Sequence, residues 1–294
     1  MAVYEHTYKP YAGKLTPEWS RFLIIPRYAY KDIFRSKLFT AFFALCFVGP
    51  LIFAIMVYLH HNINALLMLD LRVRDLVPID AAFFQIFISI QGGLGFLLTV
   101  IIGPVLISRD LANNGLPLYL CRPFSRAEYV MGKMSVLMIL LSAITWVPGL
   151  LLFLFQSYLE GAGWFGNNLR IAAAIFIISW TWIIILALLS VTISAWVKWR
   201  MAASAALFGL FMVTNAIGII VNELFHTWIG SIISLSILMQ TISDGLFGLR
   251  DSFDMDLNDY MIAPVWSVWM AFGLICALCL FLLSRKVRAY EVVQ

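Results

Sequence analysis

Six long apolar runs divide the chain, at about 38–59, 83–107, 134–158, 171–197, 203–222 and 262–283. A helix needs about 20 mostly apolar residues to cross a hydrocarbon core of about 30 Å, so each run predicts a transmembrane helix. A seventh run, Leu224 to Ile242, has the length but carries His226, Thr227, Gln240 and several serines. Between the second and third runs lies a mixed segment, "ISRDLANNGLPLYLCRPFSRAEYVMGK" (Ile107 to Lys133), with charges, turn residues and two prolines. The stretch before residue 38 is polar, basic and aromatic with no apolar core near Met1, so no cleavable signal peptide is expected.

Composition agrees with the pattern. The 294 residues are 62% hydrophobic and 12% charged, with a mean hydropathy of +0.91. Soluble domains carry about 25% charged residues, so this is the composition of an integral membrane protein. Charge placement then selects the topology. With the N-terminus inside and six spans, all of the 20 Lys and Arg except Arg72, Arg74, Arg170 and Arg250 fall on the inner face. That bias is what the positive-inside rule demands, and it predicts both termini cytoplasmic in the cell (inner) membrane. It also accounts for the net charge of +4 without a nucleic-acid partner. A seventh crossing would send the "RKVR" tail outside and the acidic "DSFDMDLNDY" inside. The seventh run is therefore read as re-entrant or interfacial, dipping in from outside under protein cover.

The expected fold is an all-α membrane protein. An amphipathic segment, 1–37, lies at the cytoplasmic interface, with Trp19, Phe22, Leu23, Tyr30, Ile33 and Phe34 among basic residues and a break at Pro26. A six-helix transmembrane domain follows over 38–294, with a cytoplasmic loop at about 108–133 and the re-entrant segment at about 223–261. Pro50 and Pro148 with Gly149 are expected kinks. Trp164, Phe165, Trp196, Trp199, Trp228, Trp266 and Trp269 suit an interfacial belt.

The spans are expected to hold no Lys, Arg, Asp or Glu in their interiors, which argues against a carrier driven by intramembrane carboxylates. "GKL" at Gly13 and "GKM" at Gly132 lack the rest of a Walker A loop, and no HExxH, zinc pattern or GxSxG occurs. Cys276 and Cys279 read as CxxC, but inside an apolar helix they fit packing. Cys46 and Cys121 also lie in or beside apolar runs, so no disulfide framework is expected. His60 and His61, adjacent at an outer helix end, fit interfacial placement better than metal ligation. No catalytic centre, metal or cofactor is expected in this chain. "QGGLGF" places Gln91, Gly92, Gly93 and Gly95 near the middle of span two. Its two readings are close helix packing and a flexible point lining a pathway.

Local signals organise the loop. Span two can continue through Arg109 and Asp110, with a stop at Gly115 and Pro117 beyond. Ser125 and Glu128 form a capping box that starts the next helix, and Pro123 favours an extended Arg122 before it. Between the two lie Leu116, Leu118, Tyr119 and Leu120, apolar groups with no bilayer to enter, surrounded by Arg109, Arg122 and Arg126. Either the loop rests on the membrane surface or it docks apolar knobs into a groove of a cytosolic protein with arginines at the rim.

This loop resembles the corresponding segment in membrane subunits of type-2 ATP-binding-cassette exporters, through Asp110, Gly115, Arg122-Pro123, Ser125-Arg126 and Gly132-Lys133. Pro117 stands where that family often has a glutamate. The amphipathic N-terminal helix, six spans and re-entrant stretch are similar too. The resemblance implies a separate cytosolic ATPase that holds ATP and Mg and acts on this chain through the loop. It also implies a second membrane subunit, either another copy or a related chain, with substrate passing near the interface between them. An uncharged, apolar pathway favours amphipathic, lipid-linked or hydrophobic cargo. The other reading is a non-transporting structural or assembly subunit of a larger membrane complex. An ion-coupled carrier and a membrane enzyme fit the sequence less well.

Overall fold

The computed structural model describes residues 23–62, 78–112, 126–249 and 263–286. Among these residues the regular structure is helical, and six helical stretches are long and apolar enough to cross a membrane. They are Lys37–His61, Ala81–Pro104, Ala127–Glu160, Leu169–Trp196, Arg200–Phe225 and Val265–Lys286. All six expected spans are present. The helix that carries span three begins at Arg126, ahead of the apolar run at Met134.

In chain order the helices are α1 (Ile24–Ile33), α2 (Lys37–Leu45), α3 (Val48–His61), α4 (Ala81–Ala112), α5 (Arg126–Ile144), α6 (Trp146–Glu160), α7 (Ala162–Asn167), α8 (Leu169–Trp196), α9 (Arg200–Phe225), α10 (Ile229–Ile233), α11 (Leu235–Phe247) and α12 (Val265–Lys286). Span one is α2 with α3, and span three is α5 with α6. Span four, α8, is the central post, packed against α4, α5, α11 and α12. Of its most apolar stretch 61% is buried, against 11% in spans one and five, whose leucines and isoleucines are left to face hydrocarbon.

The prolines decide how the spans bend. Pro50 has no N–H, so Cys46 O has no i+4 donor, and span one breaks at Cys46–Phe47. Gln91 Nε2 of α4 supplies the missing donor at 3.1 Å. Span three is interrupted at Thr145, three residues before Pro148, as expected for that kink. Pro104 lies inside an unbroken α4. The carbonyl it leaves free, Val100 O, accepts from Ser204 Oγ of α9 at 2.9 Å. Ser204→Ala is expected to cost about 1–3 kcal/mol of unfolding free energy, the penalty for an unpaired buried carbonyl. In a Pro104→Ala background, whose backbone N–H serves Val100 O, the same change should cost almost nothing. Chemical unfolding of the four proteins in one detergent measures both values.

Pro26 does not break α1 but sits in its first turn, where a missing N–H leaves no carbonyl unpaired. Ile25, Pro26, Ala29, Tyr30 and Ile33 form the inward face, while Arg27, Tyr28, Lys31 and Asp32 are exposed. That face packs on α5, and Tyr30 OH donates to Val136 O at 3.0 Å.

The seventh apolar run does not cross. After α9 the chain turns at His226, whose φ of 48° is left-handed, and α10 runs back along the helix it has just left. By Ser234 and Ser236 it has returned to Asn215, whose Oδ1 accepts from both hydroxyls at 2.9 and 2.7 Å. Asn215 lies ten residues from the end of α9, a depth of about 15 Å at 1.5 Å per residue, or half a hydrocarbon core. Ser234 then caps α11. That helix climbs back to the start of span four, where Arg170 donates to Gly245 O and Leu246 O, both at 3.1 Å. A cation at a helix C-terminus complements the dipole and the unpaired carbonyls.

Candidate functional site

At the end of the molecule where spans two and three approach their connecting loop, α4 runs on past Pro104 to Ala112 and α5 begins at Arg126. Tyr129 and Lys133 are four residues apart on α5 and so share one face, which is turned to Asp110 of α4. Lys133 Nζ stands 2.8 Å from Asp110 Oδ2, and Tyr129 OH donates to the same oxygen at 2.7 Å. The ammonium also sits 5.6 Å from the centre of the Tyr129 ring. Tyr129 is fully buried, and the Lys133 and Asp110 side chains are only 9% and 18% exposed. The two flanks of the loop are thus clamped together by a nearly buried ion pair. Lys133 stands on α5 just before the apolar run of span three, and Asp110 on α4 just past that of span two.

The clamp is tied to its surroundings. Ile25, Leu106, Tyr129, Leu137 and Leu186 belong to one apolar cluster, which joins α1, α4, α5 and α8. Burial pushes the Tyr30 phenol above its ordinary pKa, so it stays a neutral donor. One turn above Asp110, Ser194 of α8 inserts into α4. Its hydroxyl donates to Pro104 O at 3.0 Å and accepts from Ser108 N at 2.9 Å. Gly103 permits this close approach, since a Cβ there would stand 2.8 Å from Ser190 Cβ.

Of the loop residues singled out above, Asp110 is placed by its partners. Arg109 lies near the end of α4, and Arg126 opens α5, where a capping Ser125 would start it. Gly115, Leu116, Leu118, Tyr119, Leu120, Arg122, Pro123 and Ser125 lie outside the described residues. The apolar knob and its arginine rim therefore remain as read from the sequence.

The "QGGLGF" motif divides between its two readings. Gln91 is fully buried, holding Cys46 O. Gly92 O accepts the Trp182 indole N–H at 2.9 Å, and a Cβ on Gly95 would meet Leu141 at 3.1 Å. Those are packing contacts. A Cβ on Gly93 would meet nothing within 4 Å. Gly92 and Gly93 form one wall of a cavity of about 210 Å³ that Ser89, Ser179, Ser236 and Gln240 also line. The buried Ser179 hydroxyl has no partner among the described residues. Ile88, Ile178, Trp182, Phe211 and Met239 complete a mostly apolar lining in which several hydroxyls and one amide are set, without a charged group. Its walls on α8 and α11 were not visible in the sequence. Serines within an apolar run were the available signal.

At the other end of the spans His61 Nε2 lies 2.7 Å from Glu160 Oε2, tying span one to span three. Among the described residues no group of His, Cys, Asp and Glu is arranged to hold a metal ion.

No curated protein matches this chain. The family model described as ABC-2 family transporter protein matches it over residues 25–249, from the second residue of α1 to just beyond the end of α11. A match over this much of the chain, on a six-span helical membrane protein, places it in the ABC-2 family of transporter proteins, as a membrane permease subunit of an ABC transporter.

Proposed function

We propose that this chain is the pathway-forming subunit of an ATP-driven exporter, moved by a separate cytosolic ATPase that docks on the 108–133 loop. The single observation that carries this reading is the clamp beneath the loop. Asp110, Tyr129 and Lys133 make its two flanking helices one body, so a push on the loop is delivered to both spans together. From Asp110 the unbroken α4 reaches Gly93 after 17 residues, about 25 Å along its axis. Span two thereby links the loop to the wall of the 210 Å³ cavity, and Ser108 with Ser194 links it to span four. In this reading Leu116, Leu118, Tyr119 and Leu120 enter the ATPase groove, and Arg109, Arg122 and Arg126 rim it. ATP and Mg belong to the ATPase.

The basic end of the molecule faces the cytoplasm, by the placement of its Lys and Arg. A second membrane subunit packs on span five, whose outer face presents Ala202, Ala205, Gly209 and Ala216 at helical spacing. Small residues of this kind let membrane helices approach closely. The substrate then passes between the two subunits, beside the 210 Å³ cavity.

Purification from its own membrane in mild detergent should bring a Walker-type ATPase with this chain. Leu118→Asp with Tyr119→Asp should weaken that association about 30-fold or more, taking roughly 2 kcal/mol for the loss of one apolar anchor. ATPase retention and transport-linked hydrolysis unchanged by the double substitution would sink the docking role of the loop.

A further inference from the structure

The molecule holds a second, larger cavity, of about 1150 Å³, between spans four, five and six. It exceeds the roughly 300–1,000 Å³ of ordinary small-molecule sites. Leucine, isoleucine and aromatic side chains dominate its walls, and its three hydroxyls are already spent. Thr192 donates to Leu188 O at 2.7 Å, Thr214 to Phe211 O at 3.2 Å and Ser267 to Pro264 O at 2.7 Å. The lining therefore offers an occupant almost wholly apolar contact. The groove is open at the side. Trp266, Met270, Leu274 and Leu278 follow one another every four residues along its span-six wall, and each is more than half exposed.

Its two ends differ. Trp228 and Trp266 edge the end nearest the re-entrant helices. At the opposite end Trp196 lines the groove, and Lys286 Nζ is held 5.1 Å from the centre of its ring. Lys198 and Arg200 follow Trp196 at the turn into span five, and Arg285 precedes Lys286. Lys286 thus stands at one mouth of an apolar trough, with the exposed Lys198, Arg200 and Arg285 close to its lining residues in sequence. A membrane protein fills such a trough with acyl chains, and the cations select the headgroup.

We infer that this groove binds a diacyl phospholipid with an anionic headgroup, its chains along span six and its phosphate at Lys286, Lys198, Arg200 and Arg285. A second copy of the chain fits the groove less well. Membrane helix contacts favour small residues, and the bulky Trp266, Met270 and Leu274 stand here. The small residues of span five lie on its opposite face. The site lies apart from the loop and shares only Phe211 with the smaller cavity, and it does not depend on the export reading.

The test titrates the purified full chain in detergent with phosphatidylglycerol or phosphatidylcholine of identical chains and counts bound lipid by native mass spectrometry. Phosphatidylglycerol should bind with a clear advantage in the unmodified protein. Lys286→Gln and Lys198→Gln should each lower its affinity roughly fivefold while leaving phosphatidylcholine unchanged. Leu274→Trp, which fills the groove, should lower both. Equal binding of the two lipids in the unmodified protein overturns the inference, and that comparison requires no variant to fold. A preference unaffected by either lysine substitution overturns it as well. So does a Leu274→Cys variant that disulfide-links to a second copy in membranes where the unmodified chain does not.

Discussion

Asp110→Ala is expected to lower the unfolding free energy by about 3–5 kcal/mol, because it leaves Lys133 buried without its carboxylate. Lys133 is 9% exposed and is tied to α5 on one side and the Tyr129 ring on the other, so it has little freedom to reach water. Lys133→Ala should cost a similar amount for the mirror reason: the carboxylate keeps one hydrogen bond, from Tyr129, but loses its cation. The double substitution should recover a large part of either loss, since no unpaired charge remains. Unfolding of the four proteins in one detergent closes the cycle. Additive losses would show that the pair contributes no coupling. In the proposed exporter the doubly substituted protein should fold yet transmit poorly, because the two flanks of the loop would then move separately.

Gly230→Val is the other large effect. A Cβ at Gly230 would lie 2.5 Å from Asn222 Oδ1 and closer still to Gly218 O, and a Cβ at Gly218 would lie 2.6 Å from Gly230 O. The two glycines bring the backbones of α9 and α10 into contact, and the atoms nearest each added Cβ include the facing main-chain carbonyl. Overpacking a tight site costs about 1–3 kcal/mol and occasionally more. Here the strain falls on main chain, so about 3 kcal/mol or more is expected. The Asn222–Ser231 and Asn215–Ser234 hydrogen bonds should be lost with it. A Gly230→Val protein that melts like the unmodified one would mean that α10 does not lie on α9, and the re-entrant path would fall.

The spans were legible because hydropathy over 20 residues is a strong local signal, and the bilayer leaves a helix few alternatives. The re-entrant piece was legible for a related reason. Leu224 to Ile242 has the length of a span but keeps His226, Gln240 and three serines, and these need partners that only the protein can provide. Lateral partners were not legible. Nothing in the sequence couples Ser204 to Val100 O, or Gln91 to Cys46 O, until α9 and α3 stand beside α4. The Asp110–Lys133 pair left a trace, one acid and one base on the flanks of the same loop. The capping box at Ser125 placed Lys133 in the helix leading into span three, but it did not show the packing of α5 on α4 that brings that lysine to Asp110. Gly103 was passed over because a lone glycine in an apolar run carries no signal until a serine from another span occupies the space beside it.

The proline-freed carbonyls have a consequence for synthesis. Cys46 O waits for a donor 45 residues downstream, and Val100 O for one 104 residues downstream. Chains grow at about 5–20 residues per second, so span two faces lipid with an unpaired carbonyl for roughly 5–20 seconds before span five exists. Span one waits only a few seconds for Gln91. Spans one and two therefore mature as a hairpin while the chain is still being made, and span two is completed only when span five arrives. A nascent chain stalled before Ser204 should present the stretch around Val100 as the site where insertase or chaperone contact lasts longest.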